Sequence, residues 1–560
     1  MNPPRVREAG DAALLVEWEA SIDPTINARA VAVAHAIRAA GSPGVRDVVP
    51  TFRTVAVHFD PLRTTVEAVR GLVVASVDAA VPVAGRRIEV PVAYGGEDGP
   101  DLDDVATAHG LTADDVIARH AGVDYRVFMV GFLPGFPYLG LLDAAIATPR
   151  LATPRTRVPA GSVGLAGRQT GIYPLASPGG WRIIGRTDAM LFDVQRPSPA
   201  LLSAGDTVRF VPVPSSALRA ARAPAGEPAG GTPAEGPAPR ATNAPGGAPA
   251  ARTATVLDPG LFTTVQDAGR WGHQAAGVPV GGAMDLVSAR LANAAVGNAL
   301  DAATLEATVV GPTVRLEQPA IVSVAGPSVE ATLDGVMLRP GAAVPARAGS
   351  VLRVGGPLRA RAYVAFDGGI AVPPVLGSRS TLALARLGGL GGGALRAADR
   401  LPLGGASVAA GGTIGVPALA AIRFGAGGAR VRVLPGPQED WFGPDAFGVL
   451  QRARFTISPR SDRMGYRLTG AAPLRRAHED EMISDATFTG AVQVPPSGEP
   501  IVLMADRAVT GGYPQIAIVI SADLPRLGQL APGDWIEFEA CDRSEALAAL
   551  RAQEAGRGGW

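Results

Sequence analysis

The 560-residue chain has no lysine; all 51 of its basic residues are arginine. That excludes a Walker-type phosphate loop, whose lysine reaches the terminal phosphates, and a Schiff base on a lysine amine. Biotin is also carried on a lysine amine, so the chain cannot hold covalent biotin. Cysteine is almost absent as well. Cys541 stands alone, which excludes an intrachain disulfide and a thiolate metal cluster. No apolar run reaches the roughly eighteen residues of a membrane span, and the opening MNPPRVREAGD has no apolar signal core. A soluble, cytoplasmic chain with no membrane segment is expected. There is no excess of either charge: 51 basic and 51 acidic residues balance, so a general nucleic-acid or polyanion binder is not expected.

What the chain does have is turns. The 71 glycines and 50 prolines exceed average usage nearly twofold and favour β-rich domains over helical bundles. Apolar residues at 47% against 18% charged predict packed cores rather than disorder. The length allows about four domains.

The first ninety residues alternate between two periods. Strands are predicted at 13–19, 45–49, 54–59 and 87–92, with helices at about 24–40 and 64–77. Asp23-Pro24 supplies the N-cap and first-turn proline of the first helix. The order β-α-β-β-α-β is that of a ferredoxin-like unit. Two short helices follow at 101–121, with Asp101 and Thr112 as N-caps and Gly110 and Gly122 as stops. From 125 to 213 short apolar runs divided by Gly, Pro, Ser and Asp predict a small barrel. Residues 223–251 are different: 23 of these 29 are Ala, Pro or Gly, a linker that cannot build a core. It divides a front part, 1–222, from a back part, 252–560, as though two polypeptides were fused. The back part is predicted to hold a helix at about 283–296, many short strands and a final helix at about 544–554.

The chain also repeats itself. VPAGSV (158–163), TGIYP (170–174) and AGDTVRF (204–210) recur in the same order as VPPSGEP (494–500), TGGYP (510–514) and PGDWIEF (532–538). AGSVLRV (348–354) is a third echo. One barrel type used about three times is the expectation, a turn launching the closing strand of each copy.

Three segments concentrate chemistry. Residues 131–181 carry Phe132, Phe136, Tyr138, Gln169, Tyr173 and Trp181 among glycines and prolines, as an aromatic-lined pocket with exposed N–H donors requires; tight turns around a small barrel give the same composition. Residues 263–285 crowd Gln266, Asp267, Arg270, His273 and Asp285 around glycines, a set able to orient a small polar substrate. SDRMGYRL (461–468) and MADRAVTGGYP (504–514) each place an Asp-Arg pair before Gly and Tyr. Asp462-Arg463 and Asp506-Arg507 are either anion clamps or structural pairs that pin turns. His120 ends a short helix, where the dipole favours its protonated form and a general-acid role; capping by the imidazole is the alternative. No catalytic Ser-His-Asp order, zinc spacing or dinucleotide fingerprint is present, and GGLGGGAL (388–395) follows no clean strand.

These motifs carry a family resemblance. GFLPGFPYLGLL through PRTRVPAGSVGLAGRQTGIYPLASPGGWRIIGRT to AGDTVRF resembles allophanate hydrolase subunit 1, also described as the B subunit of 5-oxoprolinase. PGLFTTVQDAGRWG, GVPVGGAMD, LANAAVGN, LGSRSTL, SPRSDRMGYRL, GAVQVPPSGEPIVLMADRAVTGGYPQI and LGQLAPGDWIEF resemble allophanate hydrolase subunit 2, the 5-oxoprolinase C subunit. The resemblance implies a mostly β, α+β chain: an N-terminal domain at 1–92, cyclophilin-like barrels at 93–222, 252–430 and 431–560, and the linker at 223–251. It implies ATP-dependent opening of the lactam 5-oxoproline to glutamate, with Mg2+ accompanying ATP and a protein like the 5-oxoprolinase A subunit as partner. The related modules also form the carboxyltransferase part of urea carboxylase, and resemble a pair that regulates a sporulation histidine kinase. Carboxyl transfer from a separate biotin carrier and non-catalytic kinase regulation are therefore the alternatives; covalent fusion of the halves favours a permanent complex over the latter. Pairing of front and back barrels between chains, in a homo-oligomer, stays open beside pairing within one.

Overlap of motif and chemistry nominates His120, Asp267, Arg463 and Arg507 as catalytic, with His120 as proton donor and the arginines as anion stabilisers. Phe132, Phe136, Gln169, Tyr173, Gln266, Arg270, Asp462 and Tyr513 are nominated to bind substrate. The sequence departs from the family where Ala508 and Val509 replace a polar pair, and at Gly393-Ala394 and Ala398-Asp399. A family role that needs the replaced groups or a lysine amine is absent.

Overall fold

The computed structural model describes residues 3–222, 252–327, 329–356, 358, 360–405, 427–470, 473–478 and 481–556. The linker expected at 223–251 lies outside the described residues. The fold is mixed and predominantly β.

At the N-terminus the helices form where their caps predict. Asp23 accepts from the N–H groups of Thr25 and Ile26, and Pro24 opens the helix Pro24–Ala39. The strands Ala13–Glu17, Thr54–Phe59 and Val45–Pro50 lie side by side, all antiparallel. The fourth place, expected for 87–92, belongs instead to an N-terminal strand, Arg5–Glu8. The strand Arg87–Tyr94 leaves this sheet because it runs parallel to Thr207–Pro212 and buries Val90 and Val92 in the next domain. Alternation marks a strand but not the sheet it joins.

The run Ala13–Glu17 is apolar on both faces for a reason. Leu14 and Val16 pack beneath the helices with Val55, Val57 and Val69. Ala13, Leu15 and Ala56 point the other way, onto Phe488, Leu503 and Ile518 of the back part. This sheet is thus covered by its own helices on one side and by the distant half of the chain on the other.

Two closed seven-stranded barrels follow, spanning Arg87–Pro212 and Gly428–Ala540. With each barrel's strands numbered in chain order, both run 1-7-2-3-5-4-6 around the wall. In each, the last strand launched by the Gly-Asp turn pairs parallel with the first: Thr207↔Arg87 in one barrel, Trp535↔Gly428 in the other. The internal repeat in the sequence is therefore a repeat of topology.

The third echo is not. Its strand, Val351–Val354, pairs antiparallel with Thr313–Leu316 and Ala331–Leu333. The region from Thr253 to Pro402 is built as a six-stranded and a five-stranded sheet around one aliphatic core that includes Val256, Leu305, Leu352 and Phe366. A shared turn does not bring the parallel first-to-last pairing that closes the other two.

Candidate functional site

The two halves meet along a polar seam at which several motif residues converge. The front loop 131–136 docks on the TGGYP turn: a Cβ on Gly131 would stand 2.1 Å from Thr510 Oγ1, and Phe132 N–H donates to that oxygen at 3.0 Å. Phe132 takes φ 62° to do so, a left-handed conformation that costs an ordinary residue about 1–2 kcal/mol. Arg507, buried on the other side of the turn, donates to Gln274 Oε1 at 2.7 Å and to the Thr487 and Thr489 hydroxyls at 3.2 Å. Gln274 in turn donates through its backbone N–H to Asp47 Oδ2 at 3.1 Å. Burial lowers the Arg507 pKa to about 10, against the pull of Asp47, so the side chain stays cationic at neutral pH. Its hydrogen bonds stay within the back part, and Gln274 carries the link on to Asp47 of the front domain.

The aromatic residues of 131–181 pack on one another. Phe136 meets Tyr138, Tyr173 and Trp181 edge-on with centroids 4.9, 5.2 and 5.5 Å away. Phe136 and Tyr173 are each 1% exposed, so the expected aromatic lining is instead a filled core at the mouth of the first barrel. Gln169 sits on the hairpin beside Ala166, its Oε1 buried without a partner. Tyr513 lies on the surface, 41% exposed.

His120 is inside the same barrel. Its Nδ1 is 2.7 Å from Tyr94 Oη and its Nε2 2.9 Å from Thr170 Oγ1, and its ring stacks on Phe210. Burial pushes its pKa down to about 3. The expected proton donor is therefore a neutral, enclosed imidazole with no proton to give near pH 7. Helix-end stabilisation of the cation, the basis of the expectation, loses to desolvation.

The cluster at 263–285 is the end of the strand Phe262–Gln266, paired with Thr304–Thr308, and the long loop that follows it. Asp267 accepts from Gly269 N–H and from the Ser378 and Ser380 hydroxyls at 2.8, 2.6 and 2.6 Å, and from Arg379 N–H at 2.5 Å. Its oxygens are occupied in holding the 378–380 loop. Gln266 is fully buried and donates to Thr264 and to Thr381 O. Asp285 caps the helix Leu286–Ala295. Arg270, 1% exposed, donates from one terminal nitrogen to Ser380 O, while its Nε and other terminal nitrogen are buried without partners. Burial lowers its pKa, with Asp267 and Asp506 pulling the other way.

Beside this strand, between the middle sheets and the second barrel, is a cleft of about 480 Å³, within the range of small-ligand sites. Phe262, Met464, Tyr466 and Leu530 line it, with Asp462, Arg463 and Asp506. The two Asp-Arg motifs do not form adjacent pairs; they cross-link. Arg463 grips Asp506 through Nε and a terminal nitrogen at 2.9 and 3.0 Å, Glu306 at 2.5 Å and Gly282 O at 2.7 Å. Burial opposes the Arg463 cation, but Asp506 and Glu306 raise its pKa well above the usual arginine value. Burial likewise works against the Glu306 carboxylate, and Arg463 and Arg361 still hold it below the ordinary glutamate range. Tyr363 Oη donates to Glu306 at 2.8 Å, and Arg361 donates to Tyr466 Oη at 3.0 Å. Arg463 is thus a saturated positioning group that fixes Asp506 at the cleft. Asp462 is tied into its own turn by Met464 N–H at 2.8 Å.

Glu306, Arg361 and Tyr363 were missed in the sequence. A lone acid in the apolar strand Thr304–Thr308 was the available signal, since a buried charge demands a partner.

Comparison with known proteins fits this division. Residues 4–202 match the family "Carboxyltransferase domain, subdomain C and D", and residues 276–540 match "Carboxyltransferase domain, subdomain A and B". The chain belongs to the carboxyltransferase-domain family. It is 40% identical over 300 residues to the 5-oxoprolinase C subunit of Escherichia coli (strain K12), covering 53% of this chain and 94% of that protein. It is 39% identical over 220 residues to the 5-oxoprolinase B subunit of Bacillus subtilis (strain 168), covering 37% of this chain and 92% of that protein. The crystal structure of TTHA0988 aligns with a TM-score of 0.77 at 35% identity, over 96% of this chain and 100% of that one. Within the carboxyltransferase-domain family, the chain is a fusion of a front half like the 5-oxoprolinase B subunit with a back half like the C subunit. Among the described residues no helix is long and apolar enough to cross a membrane.

Proposed function

We propose that the chain is the fused B and C component of an ATP-dependent 5-oxoprolinase, acting in the cytoplasm with a separate A subunit. The observation that carries this reading is that two 5-oxoprolinase subunits, each covered over more than nine-tenths of its length, align one after the other on a single chain. The buried seam between the halves supports a permanent pairing of the two.

In this reading 5-oxoproline, ATP and two waters yield glutamate, ADP and inorganic phosphate. Phosphorylation of the lactam oxygen removes amide resonance; one water opens the ring to an acyl phosphate and the second hydrolyses it. The cleft seats the ring against Phe262 and Tyr466, and Arg463 holds the Asp506 carboxylate at its edge. Both the attack and the hydrolysis pass through anionic transition states, which oriented N–H donors stabilise. Among the described residues no group of three His, Cys, Asp or Glu side chains is placed to hold a metal ion, and no lysine is available to reach a terminal phosphate. Mg2+ bound with ATP needs only one or two carboxylates beside the phosphates, and the proposal places the nucleotide at a site that the A subunit completes.

A second reading, carboxyl transfer to a urea-like amide from a biotin carrier on another protein, is favoured by the carboxyltransferase family match. The test is glutamate formation by the purified chain together with its A subunit, with and without ATP. Turnover that requires all three is the expected result. No turnover from a demonstrably assembled complex removes the reading in favour of carboxyl transfer.

A further inference from the structure

Arg270 is the one nominated arginine whose buried guanidinium keeps nitrogens without a hydrogen-bond partner. Its guanidinium is 1% exposed, no carboxylate is hydrogen-bonded to it, and its Nε and one terminal nitrogen have no partner at all. A buried donor left unpaired costs about 1–3 kcal/mol. A fold tolerates that where a ligand supplies the partner.

Gly281 shows where the ligand atom belongs. A Cβ built there would stand 3.5 Å from Arg270 Nη1 and 3.5 Å from Asp506 Oδ1. The bare glycine therefore leaves an atom-sized space between an unsatisfied cationic donor and a carboxylate acceptor. Gly281 is partly open to solvent and takes φ +66°, and Asp506, which borders the space, also lines the cleft. The Gly388 backbone closes the other side, its Cβ position 2.9 Å from Arg270 Nη2.

Charge decides the ligand class. Arg270, Arg361 and Arg463 stand among Asp267, Asp506 and Glu306, three positive groups against three negative ones. A free anion would gain Arg270 but meet Asp506. A neutral group that accepts on one side and donates on the other satisfies both. A cis amide presents its C=O and N–H side by side, as in a lactam or a urea.

We propose that Arg270, Gly281 and Asp506 form the amide-recognition site of this chain: Arg270 donates to the amide oxygen, Asp506 accepts from the amide N–H, and Gly281 leaves the room. Arg270 then also stands where negative charge grows on that oxygen during attack. The site deepens the 5-oxoprolinase reading, on which the choice of probe rests, although a urea-like amide would satisfy the same atoms.

The test is direct binding to the purified full-length chain by saturation-transfer NMR, with 2-pyrrolidinone, N-methyl-2-pyrrolidinone and pyrrolidine as probes. 2-Pyrrolidinone is expected to bind at least tenfold more tightly than its N-methyl derivative, which lacks the donor, and than pyrrolidine, which lacks the acceptor. Gly281→Ala, lowered in thermal midpoint by its left-handed backbone but still unfolding cooperatively, is expected to weaken 2-pyrrolidinone at least tenfold, and Arg270→Met to do the same. Equal binding of the N-methyl compound overturns the proposal without any variant, so misfolding of either mutant leaves it decidable. Undiminished binding by a folded Gly281→Ala chain overturns it as well. The expected binding pattern without glutamate formation by the assembled complex would remove the 5-oxoprolinase reading and leave the amide site standing; turnover without the pattern would do the reverse.

Discussion

The two barrels share one strand order and solve the same problem in opposite ways. Each buries a basic side chain in or against its wall. In the first, His120 is enclosed with hydroxyl and aromatic partners only, and it gives up its charge. In the second, Arg463 cannot give up its charge, so the chain surrounds it with Asp506, Glu306 and a carbonyl. A group that titrates near neutrality can be buried neutral; a guanidinium stays charged and must have its nitrogens satisfied, by carboxylates as at Arg463 or by neutral acceptors as at Arg507. The difference separates a barrel that is all packing from one that holds a charged edge beside a cleft. Arg270 fits neither solution, which is why it points to a ligand.

The comparison is broken most severely by removing the cation from the second barrel. Arg463→Met strands Glu306 and Asp506 in a buried site and is expected to lose about 3–5 kcal/mol in urea unfolding. Adding Glu306→Gln should recover part of that loss; a loss under about 1 kcal/mol for the single change would mean the network is not the support described. In the first barrel the matching experiment is apolar. Phe136→Ala removes the hub of four edge-on aromatic contacts and is expected to cost about 3 kcal/mol or more, while 2-pyrrolidinone binding stays within twofold.

A pH titration sharpens the contrast. The unfolded His120 takes up a proton near pH 6.5 and the folded one only near 3, so the unfolded state binds more protons between those values. Stability is therefore fully present above the unfolded pKa and falls as pH drops through the window. His58, pushed down to about 3 by burial and by Arg507, acts in the same direction. Between pH 7 and 5 the His120 contribution is about 2 kcal/mol, and His120→Gln should flatten the curve by about that amount. The smallest effect is expected at Tyr513, which is 41% exposed: Tyr513→Ala should shift stability by less than about 0.5 kcal/mol.

What the sequence made legible follows the range of the interactions involved. Asp23-Pro24 and the Thr112 N-cap formed as read, because a cap needs only its neighbours; Asp101, read the same way, makes no side-chain cap bond. The repeated turn pointed to about three barrels of one type; the two copies launched by Gly-Asp close as barrels, and the Gly-Ser copy at 348–354 does not. The strand Arg87–Tyr94 was assigned to the wrong sheet because its partner, Thr207–Pro212, lies more than a hundred residues away. The Asp-Arg dipeptides were read as pairs because they are adjacent; the structure joins Arg463 to Asp506 instead. His120 was misjudged because a helix end is visible in sequence and enclosure by Tyr94, Thr170 and Phe210 is not.

The most direct test sets the back half against the front in one assay. ATP-dependent glutamate formation is measured for the full chain with its A subunit, for Asp506→Asn beside Phe136→Leu, both checked for folding. Asp506→Asn is expected to lower kcat/KM by about a hundredfold, a loss of roughly 2.7 kcal/mol of transition-state stabilisation. Phe136→Leu should stay within threefold. Normal turnover in Asp506→Asn, with a large loss in a folded Phe136→Leu, would place the chemistry in the first barrel and contradict the account.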